Sequence, residues 1–213
     1  MSAPPVFDAG FQAQFDMLLR WRRDVRHFAD RPIAEVDLAA VLETAMLAPS
    51  VGNAQPWRIV RVRSAECRAA IAAHVDAANA QAADRYVGEA AQAYRALKLH
   101  GIRAAPELLA VFCDERPEAG HGLGIATMPE MLRYSCVTAI HTLWLAARVR
   151  GIGLGWVSIL EPAAIVPLLA VPPDWTLIGL LCLGYPAEPS DIPELERRGW
   201  QAREALAERL FYR

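Results

Sequence analysis

The sequence contains only one lysine, Lys98, among its 22 basic residues, and every other basic residue is an arginine. Acidic residues number 24, which leaves a formal net charge of −2 and a pI of about 6.2. Non-specific nucleic-acid binding needs a large positive excess, so we expect no nucleic-acid partner. The hydrophobic content of 54% excludes disorder over most of the chain. From the length of 213 residues we expect a single domain over residues 1–213.

Signals for a metal, a membrane or export are also missing. The four cysteines are widely spaced, no CxxC pair occurs and the five histidines show no paired-ligand spacing, so we expect no metal. The most apolar stretches, residues 143–160 and 177–184, are broken by Arg148 and Arg150 or are too short to span a bilayer. No basic residue precedes an apolar run in residues 1–10. We therefore expect a cytoplasmic protein with structural, buried thiols and no membrane partner.

Hydrophobic periodicity predicts helices interleaved with about four strands, which is typical of an α/β or α+β protein. Helices are expected at residues 11–22, 35–48, 65–82, 85–100, 130–149 and 162–169. Strands are expected at residues 57–63, 107–114, 155–160 and 175–183. The helix 130–149 is apolar almost all round, with Pro129 at its first position, so it is expected to be central. The polar residues 186–213 are expected to form an arm that packs on the surface or reaches a partner subunit.

Residues 22–26, RRDVR, place three arginines within five residues. The planar fork of arginine matches a phosphate group, so Arg22, Arg23 and Arg26 are candidates for an anion site. If the segment is helical, Arg22 and Arg26 share a face and Asp24 points elsewhere. If it is extended, the side chains of these three residues align on one side. Either conformation puts a carboxylate beside a phosphate-sized pocket, and the alternative is a solvated helix end with local ion pairs.

Residues 48–57, APSVGNAQPW, combine two prolines, a glycine and small polar residues. This composition predicts a rigid turn between the preceding helix and the following strand. Ser50, Asn53 and Gln55 offer hydrogen-bond donors and acceptors to a planar ligand. An ordinary helix-to-strand turn is the alternative.

Residues 151–158, GIGLGWVS, carry alternate glycines ahead of a serine. These glycines would let the backbone approach a flat ring closely, and Ser158 would supply a hydroxyl at the start of the strand. A Rossmann nucleotide site is excluded, because the spacing is GxGxG and a helix precedes the motif rather than follows it. A second glycine-rich stretch, residues 120–124, has no lysine after it and is interpreted as a loop.

In this order and at these separations, the three segments resemble the flavin-dependent nitroreductase-like superfamily. More narrowly, the chain is similar to the flavin-destructase family in the stretches RRDVR, APSVG…QPW, YRALKLHGIRAAP, MPEMLRYS, TLWLAARVRGIGLGWVSIL and PELERRGW. The likeness covers residues 21–203. RRDVR together with GWVSI is the specific signal, because most members of the superfamily lack this aspartate and this serine. Asn53 and Ala54 depart from the family's loop, and the lid-like region 80–89 is generic.

The resemblance implies an α+β nitroreductase-like fold, with a mainly antiparallel central sheet flanked by helices and a C-terminal arm. It also implies a homodimer that binds FMN at the subunit interface. In this family reduced FMN is the substrate, and with O2 as co-substrate it is fragmented to 5,6-dimethylbenzimidazole, the lower ligand of vitamin B12, and erythrose 4-phosphate. A separate flavin reductase is implied as the supplier of reduced FMN.

The resemblance also implies roles for particular residues. Asp24 matches the family aspartate required for fragmentation, and Ser158 matches the catalytic serine near the ring. The expected flavin-binding residues are Arg22, Arg23, Asp24, Val25, Arg26, Ser50, Gln55, Lys98, Gly155, Ser158 and Arg203. A carboxylate near the ribityl C1′ would act as a general base, and burial of the site would exclude water.

Two other functions stay open as alternatives. An NAD(P)H-dependent nitroreductase or flavin reductase would use the same fold, and a flavin storage protein would bind FMN without chemistry. Asp24 together with Ser158 favours the destructase, since a simple reductase needs neither residue.

Overall fold

A computed structural model describes residues 3–213 of the chain, in which helices alternate with four strands. The helices are α1 (Ala9–Trp21), α2 (Glu35–Ala45), α3 (Ala65–Ala83), α4 (Gly88–Ala96), α5 (Met131–Val149), α6 (Pro162–Leu169) and α7 (Glu194–Arg197). The strands are β1 (Trp57–Arg61), β2 (Glu107–Asp114), β3 (Gly153–Val157) and β4 (Trp175–Gly184).

The four strands form one sheet in the order β1-β2-β4-β3, and every neighbouring pair is antiparallel. This arrangement confirms the predicted α+β class and its antiparallel sheet. The central strand β2 is buried at every position between Glu107 and Asp114. A continuous apolar run of this kind is required because helices cover both faces of the sheet.

Alternate residues of β2 point to opposite faces and so belong to two separate cores. Leu109 and Val111 pack in a cluster with residues of α2 and α5, including Leu38 and Leu143. On the other face, a second cluster joins β2 to α3 and α6, and its members include Ile71, Leu108, Phe112 and Ile165. The helix α5 contacts α1, α2 and all four strands, which confirms its predicted central position.

Three expectations at element ends are corrected. Met131 is the first helical residue of α5, because Pro129 lies in the turn in which the Leu132 N–H donates to the Pro129 carbonyl at 3.3 Å. Pairing with β4 places β3 at Gly153–Val157, so Ser158 follows the end of the strand rather than its start. The helix α2 ends at Ala45 because a turn follows it before Pro49.

The cysteines are all free thiols, and Cys113, Cys136 and Cys182 are buried as expected. Cys67 is instead half-buried, because it lies near the start of α3 with its Sγ 3.4 Å from the Leu168 carbonyl oxygen. Among residues 3–213, no helix has both the length and the apolarity needed to cross a bilayer. The same residues include no group of three metal-binding side chains placed to hold an ion.

The predicted arm begins by pairing with the segment that follows α1. Phe28 and Pro186 form an antiparallel bridge, and the Ala187 N–H donates to the His27 carbonyl at 3.0 Å. The arm then makes the single turn of α7 and ends in residues 201–213, which are exposed. It therefore packs on the surface along the arginine-rich segment.

Candidate active site

Residues 22–27 leave α1 as an extended segment beside the edge strand β3. The Val25 N–H donates to the Leu154 carbonyl at 3.0 Å, and Asp24 and Leu154 form a parallel bridge. Arg22, with φ −74° and ψ 108°, ends α1 in an extended conformation. Of the two conformations that the sequence left open, the extended one is therefore present.

Two glycines of β3 make this pairing possible. A Cβ atom on Gly155 would overlap the Val25 carbonyl oxygen and lie 3.2 Å from the Val25 carbonyl carbon. A Cβ atom on Gly153 would lie 2.6 Å from Val25 Cγ2 and 3.0 Å from Pro186 Cγ. The sequence predicted that these glycines let the backbone approach a flat ring. On the sides where a Cβ would lie, the segment around Val25 occupies that space instead. Spacing identified the glycines, but it did not show that a segment distant in sequence lies against them.

The Asp24 carboxylate is fixed by two hydrogen bonds. Its Oδ1 accepts from the Trp156 N–H at 2.9 Å, and its Oδ2 accepts from Arg26 Nε at 2.7 Å. The Asp24 side chain is only 28% exposed. Burial raises the pKa of Asp24 above its ordinary value, although Arg26 and the Trp156 N–H oppose the rise. A carboxylate in this state is an oriented proton acceptor that is more basic than an exposed aspartate.

Two of the three arginines have no carboxylate partner. The Arg22 guanidinium stacks over the Trp144 ring, 4.6 Å from its centroid. Arg23 donates through Nε to the Asp191 carbonyl at 2.8 Å and through Nη1 to the Arg22 carbonyl at 2.7 Å. Within residues 3–213, neither guanidinium has a carboxylate oxygen within 4.0 Å, whereas Arg26 is paired with Asp24.

The unpaired guanidinium groups repel a further arginine of the arm. Burial lowers the pKa values of Arg22 and Arg23, and the charge of Arg203 lowers both further. A bound anion would relieve this repulsion and supply the negatively charged partner that neither guanidinium has. The charges of Arg22, Arg23 and Arg203 therefore lie close enough to act on one another.

A cavity of about 260 Å³ lies between residues 22–27 and the arm. Five predicted site residues line it, namely Arg22, Arg23, Asp24, Val25 and Arg26. The facing wall consists of residues 186–190 and part of α7 and its flanks. Sites for small molecules usually measure about 300–1,000 Å³, so this cavity encloses only part of a ligand of that size.

Six predicted residues lie outside the cavity wall, and four of them are Lys98, Ser158, Gly155 and Arg203. Lys98 has an exposed side chain, and its carbonyl accepts from Arg26 Nη1 at 3.2 Å. Ser158 is exposed just beyond β3, and Gly155 faces Val25. Arg203 is exposed on the arm and acts on the site through its charge.

Ser50 and Gln55 lie in a separate loop toward the other end of α5. Ser50 Oγ accepts from the Gln55 N–H at 3.1 Å, and the Val51 N–H donates to Ser135 Oγ at 3.0 Å. Ser135 precedes the cavity residue Trp144 by more than two helical turns, or about 14 Å of helix. The structure therefore does not bring Ser50 and Gln55 to the arginine cavity of the same chain.

The loop that holds Ser50 and Gln55 is a strained turn. Gly52, Asn53 and Gln55 have φ values of +55°, +54° and +47°. The left-handed conformation is costly for the two residues that are not glycine, and such strain is concentrated at functional sites. The predicted turn is thus present, and two of its residues other than glycine have positive φ values.

Sequence reasoning did not identify Trp144 or the cavity residues contributed by the arm. Glu194 is an acid of the arm with only 11% of its side chain exposed, and its Oε1 lies 3.8 Å from His27 Nε2 and 3.9 Å from Arg198 Nε. The charge-rich sequence around α7 was a signal for these residues, but nothing local to it indicates which element it meets. Trp144 gave no signal, because a tryptophan in an apolar helix is ordinarily part of the core.

The antiparallel α+β fold thus places an arginine-lined cavity beside the partly buried Asp24 carboxylate. Comparison with known sequences identifies the particular group. The chain belongs to the Nitroreductase family, whose sequence profile matches residues 19–185.

Individual relatives place the chain more narrowly. A 5,6-dimethylbenzimidazole synthase of Rhodospirillum rubrum is 54% identical over 203 residues, which cover 95% of this chain and 96% of that protein. One of Rhodobacter capsulatus is 53% identical over 184 residues, which cover 86% and 89%. These relatives confirm the resemblance inferred from the sequence motifs.

Solved structures confirm the fold. Iodotyrosine deiodinase, in a structure bound to FMN and 3-iodo-L-tyrosine, superposes with a TM-score of 0.70 at 24% identity, covering 82% of this chain and 91% of that one. A nitroreductase-like family protein from Bacillus cereus has a TM-score of 0.64 at 18% identity, covering 100% and 98%.

Proposed function

We propose that this chain acts as a 5,6-dimethylbenzimidazole synthase, which uses O2 to fragment reduced FMN into 5,6-dimethylbenzimidazole and erythrose 4-phosphate. The observation that carries the proposal is the 54% identity to the Rhodospirillum rubrum synthase over 95% of the chain. The geometry of the site supports it, because Asp24 is an oriented, largely buried carboxylate beside arginines that lack an anionic partner.

The arginines would hold the phosphate group of FMN. Arg22 and Arg23 carry positive charge with no carboxylate within 4.0 Å among residues 3–213, and Arg203 adds to this charge from the arm. Arg26 contributes charge while it orients Asp24, and the Lys98 carbonyl orients Arg26.

Asp24 would serve as the general base. Reduced FMN, when bound, supplies the electrons that O2 accepts. Asp24 takes a proton at the ribityl C1′, and Arg26 and the Trp156 N–H hold the carboxylate in place during the transfer. Such a base contributes about 10²–10⁴-fold to a rate. Ser158 positions the ring or passes on a proton, and the arm keeps water away from the reacting atoms.

We also propose that the working unit is a homodimer. No residue of α1 is buried, and Phe11, Phe15 and Met17 expose apolar surface. The cavity is small for a flavin, so Ser50 and Gln55 of a second copy would complete the site. Light scattering after size exclusion should give twice 23.4 kDa. A stable monomer with full activity would overturn this proposal.

A single incubation tests the function. We place the protein in the cytoplasm, so the assay uses neutral pH and moderate salt. The protein is mixed with FMN, a separate flavin reductase, NADH and O2. Chromatography should show 5,6-dimethylbenzimidazole formed with the loss of an equal amount of FMN. The same mixture without O2, and the mixture without the protein, should yield none.

The assay also separates the alternatives. Steady NADH oxidation by the protein without added reductase, with the flavin unchanged, would indicate a nitroreductase or flavin reductase. Flavin binding with neither reaction would indicate a storage protein. Either result would refute the synthase.

A further inference from the structure

The arm turns back on itself at Gly199, directly after α7. Gly199 has φ +71°, and the Trp200 N–H donates to the Leu195 carbonyl at 2.8 Å. This left-handed glycine with a bond across the helix end is the Schellman ending of a helix, which fixes the direction of the next residue. The sequence RRGW therefore aims the Trp200 side chain at a defined place on the fold.

That place is a pair of tyrosines at the junction of α3 and α4. Tyr86 and Tyr94 stack with centroids 4.8 Å apart, and the Trp200 ring meets them edge-on at 5.3 and 6.0 Å. Tyr94 is buried, and its hydroxyl donates to Asn79 Oδ1 at 2.8 Å. Because α3 holds Tyr94, the tyrosine pair is a fixed platform for the indole.

The arm contacts the arginine segment before Trp200 and carries a further arginine soon after it. Before it, the Asp191 carbonyl accepts from Arg23 Nε at 2.8 Å. After it, Arg203 follows by only three residues, which limits its Cα to about 10 Å from that of Trp200. The charge of Arg203 is close enough to lower the pKa values of Arg22 and Arg23.

Little besides Trp200 fixes the position of Arg203. Residues 201–213 are exposed, and the Arg203 guanidinium has no carboxylate within 4.0 Å among residues 3–213. The bond from the Gln201 N–H to the Leu195 carbonyl is long, at 3.5 Å. The indole is thus the last well-packed group before Arg203.

We propose that Trp200 is a positioning residue, whose packing on Tyr86 and Tyr94 holds Arg203 beside Arg22 and Arg23 to bind the phosphate of the flavin. The inference rests on the proposed flavin site, but it does not depend on what happens to the flavin afterwards. If so, the two tyrosines near the junction of α3 and α4 contribute indirectly to binding of the flavin phosphate.

The test compares FMN with riboflavin, which lacks the phosphate. Binding of each oxidised flavin is measured by fluorescence quenching. Trp200→Ala should weaken FMN binding by about tenfold or more, as expected for a lost charge-assisted contact, and should leave riboflavin binding within twofold. Trp200→Phe should restore most of the FMN affinity. Tyr212→Ala, which removes an exposed aromatic side chain from the same arm, should change neither.

A double-mutant cycle tests the coupling to Arg203. Arg203→Ala should weaken FMN binding as much as Trp200→Ala does, and the double variant should be no weaker than either. Additive losses, an equal loss of riboflavin affinity, or unchanged FMN binding in a folded Trp200→Ala protein would each overturn the proposal.

The proposed function can fail separately. If the protein prefers FMN to riboflavin, responds to Trp200→Ala as expected and forms no 5,6-dimethylbenzimidazole, the synthase is refuted and the positioning role stands. If the wild-type protein binds both flavins equally well, the phosphate site is refuted and the positioning role with it.

Discussion

Replacing Asp24 by asparagine should leave FMN binding within a few-fold of wild type and lower 5,6-dimethylbenzimidazole formation by about 10²–10⁴-fold. Asparagine keeps an oxygen that can accept from the Trp156 N–H, so the segment should stay beside β3. It removes the basic oxygen that accepts from Arg26, and with it the proton acceptor. Product is measured by chromatography under air with reduced FMN, and binding by flavin fluorescence.

The same variant should change the dependence of the rate on pH. A base works only when it is deprotonated, so the wild-type rate should fall as the pH falls through the pKa of Asp24. Because burial raises that pKa, the fall should begin above the range of an exposed aspartate. The residual rate of Asp24→Asn should lack this acidic limb.

Glu188→Gln is the matched control. Glu188 is an exposed acid on the facing wall of the same cavity, so its loss removes a nearby charge but not the base. Its rate should stay within a few-fold of wild type. An unchanged product yield from Asp24→Asn would refute the catalytic role of Asp24.

Replacing Gly155 by alanine should destabilise the protein by at least about 2 kcal/mol and lower the rate by about 10²-fold. The added Cβ would overlap the Val25 carbonyl oxygen, so residues 24–25 must move away from β3. That movement breaks the bond from the Val25 N–H to the Leu154 carbonyl and displaces Asp24. Urea unfolding at fixed protein concentration measures the change in the free energy of unfolding.

Gly122→Ala separates the clash from the ordinary cost of losing a glycine. Gly122 has φ +73°, and a Cβ there meets no atom within 4 Å. This variant should lose about 1 kcal/mol through backbone strain alone and keep its rate. Equal losses in the two variants would contradict a specific role for the space at Gly155.

Local patterns were sufficient to predict much of the fold. The strand Glu107–Asp114 and the helix Pro162–Leu169 have the predicted bounds, because an unbroken apolar run and a proline at the helix start are strong local signals. The order of the strands was not predictable in this way. β2 pairs with β4 across α5, β3 and α6, and only the packing of both faces decides that pairing.

In the site, too, local features were predictable and features that depend on distant contacts were not. Asp24 and the three arginines were recognisable because their chemistry is concentrated in five residues. The conformation of their segment was not, since it depends on the fit of Val25 against two glycines of β3. Trp200 and Glu194 could not be placed from sequence either, because their partners lie in α4, the turn before it and the segment after α1.

The hydrogen bond from Arg23 to the Asp191 carbonyl spans 168 residues, and this span has a consequence for synthesis. A ribosome adds about 5–20 residues per second, so Arg23 is made roughly 10–30 s before its partner. For most of that time the nascent chain has the arginines but not β3, and for nearly all of it the facing wall is missing as well. A protein proposed to destroy flavin therefore assembles its cavity only after residue 191 has been synthesised.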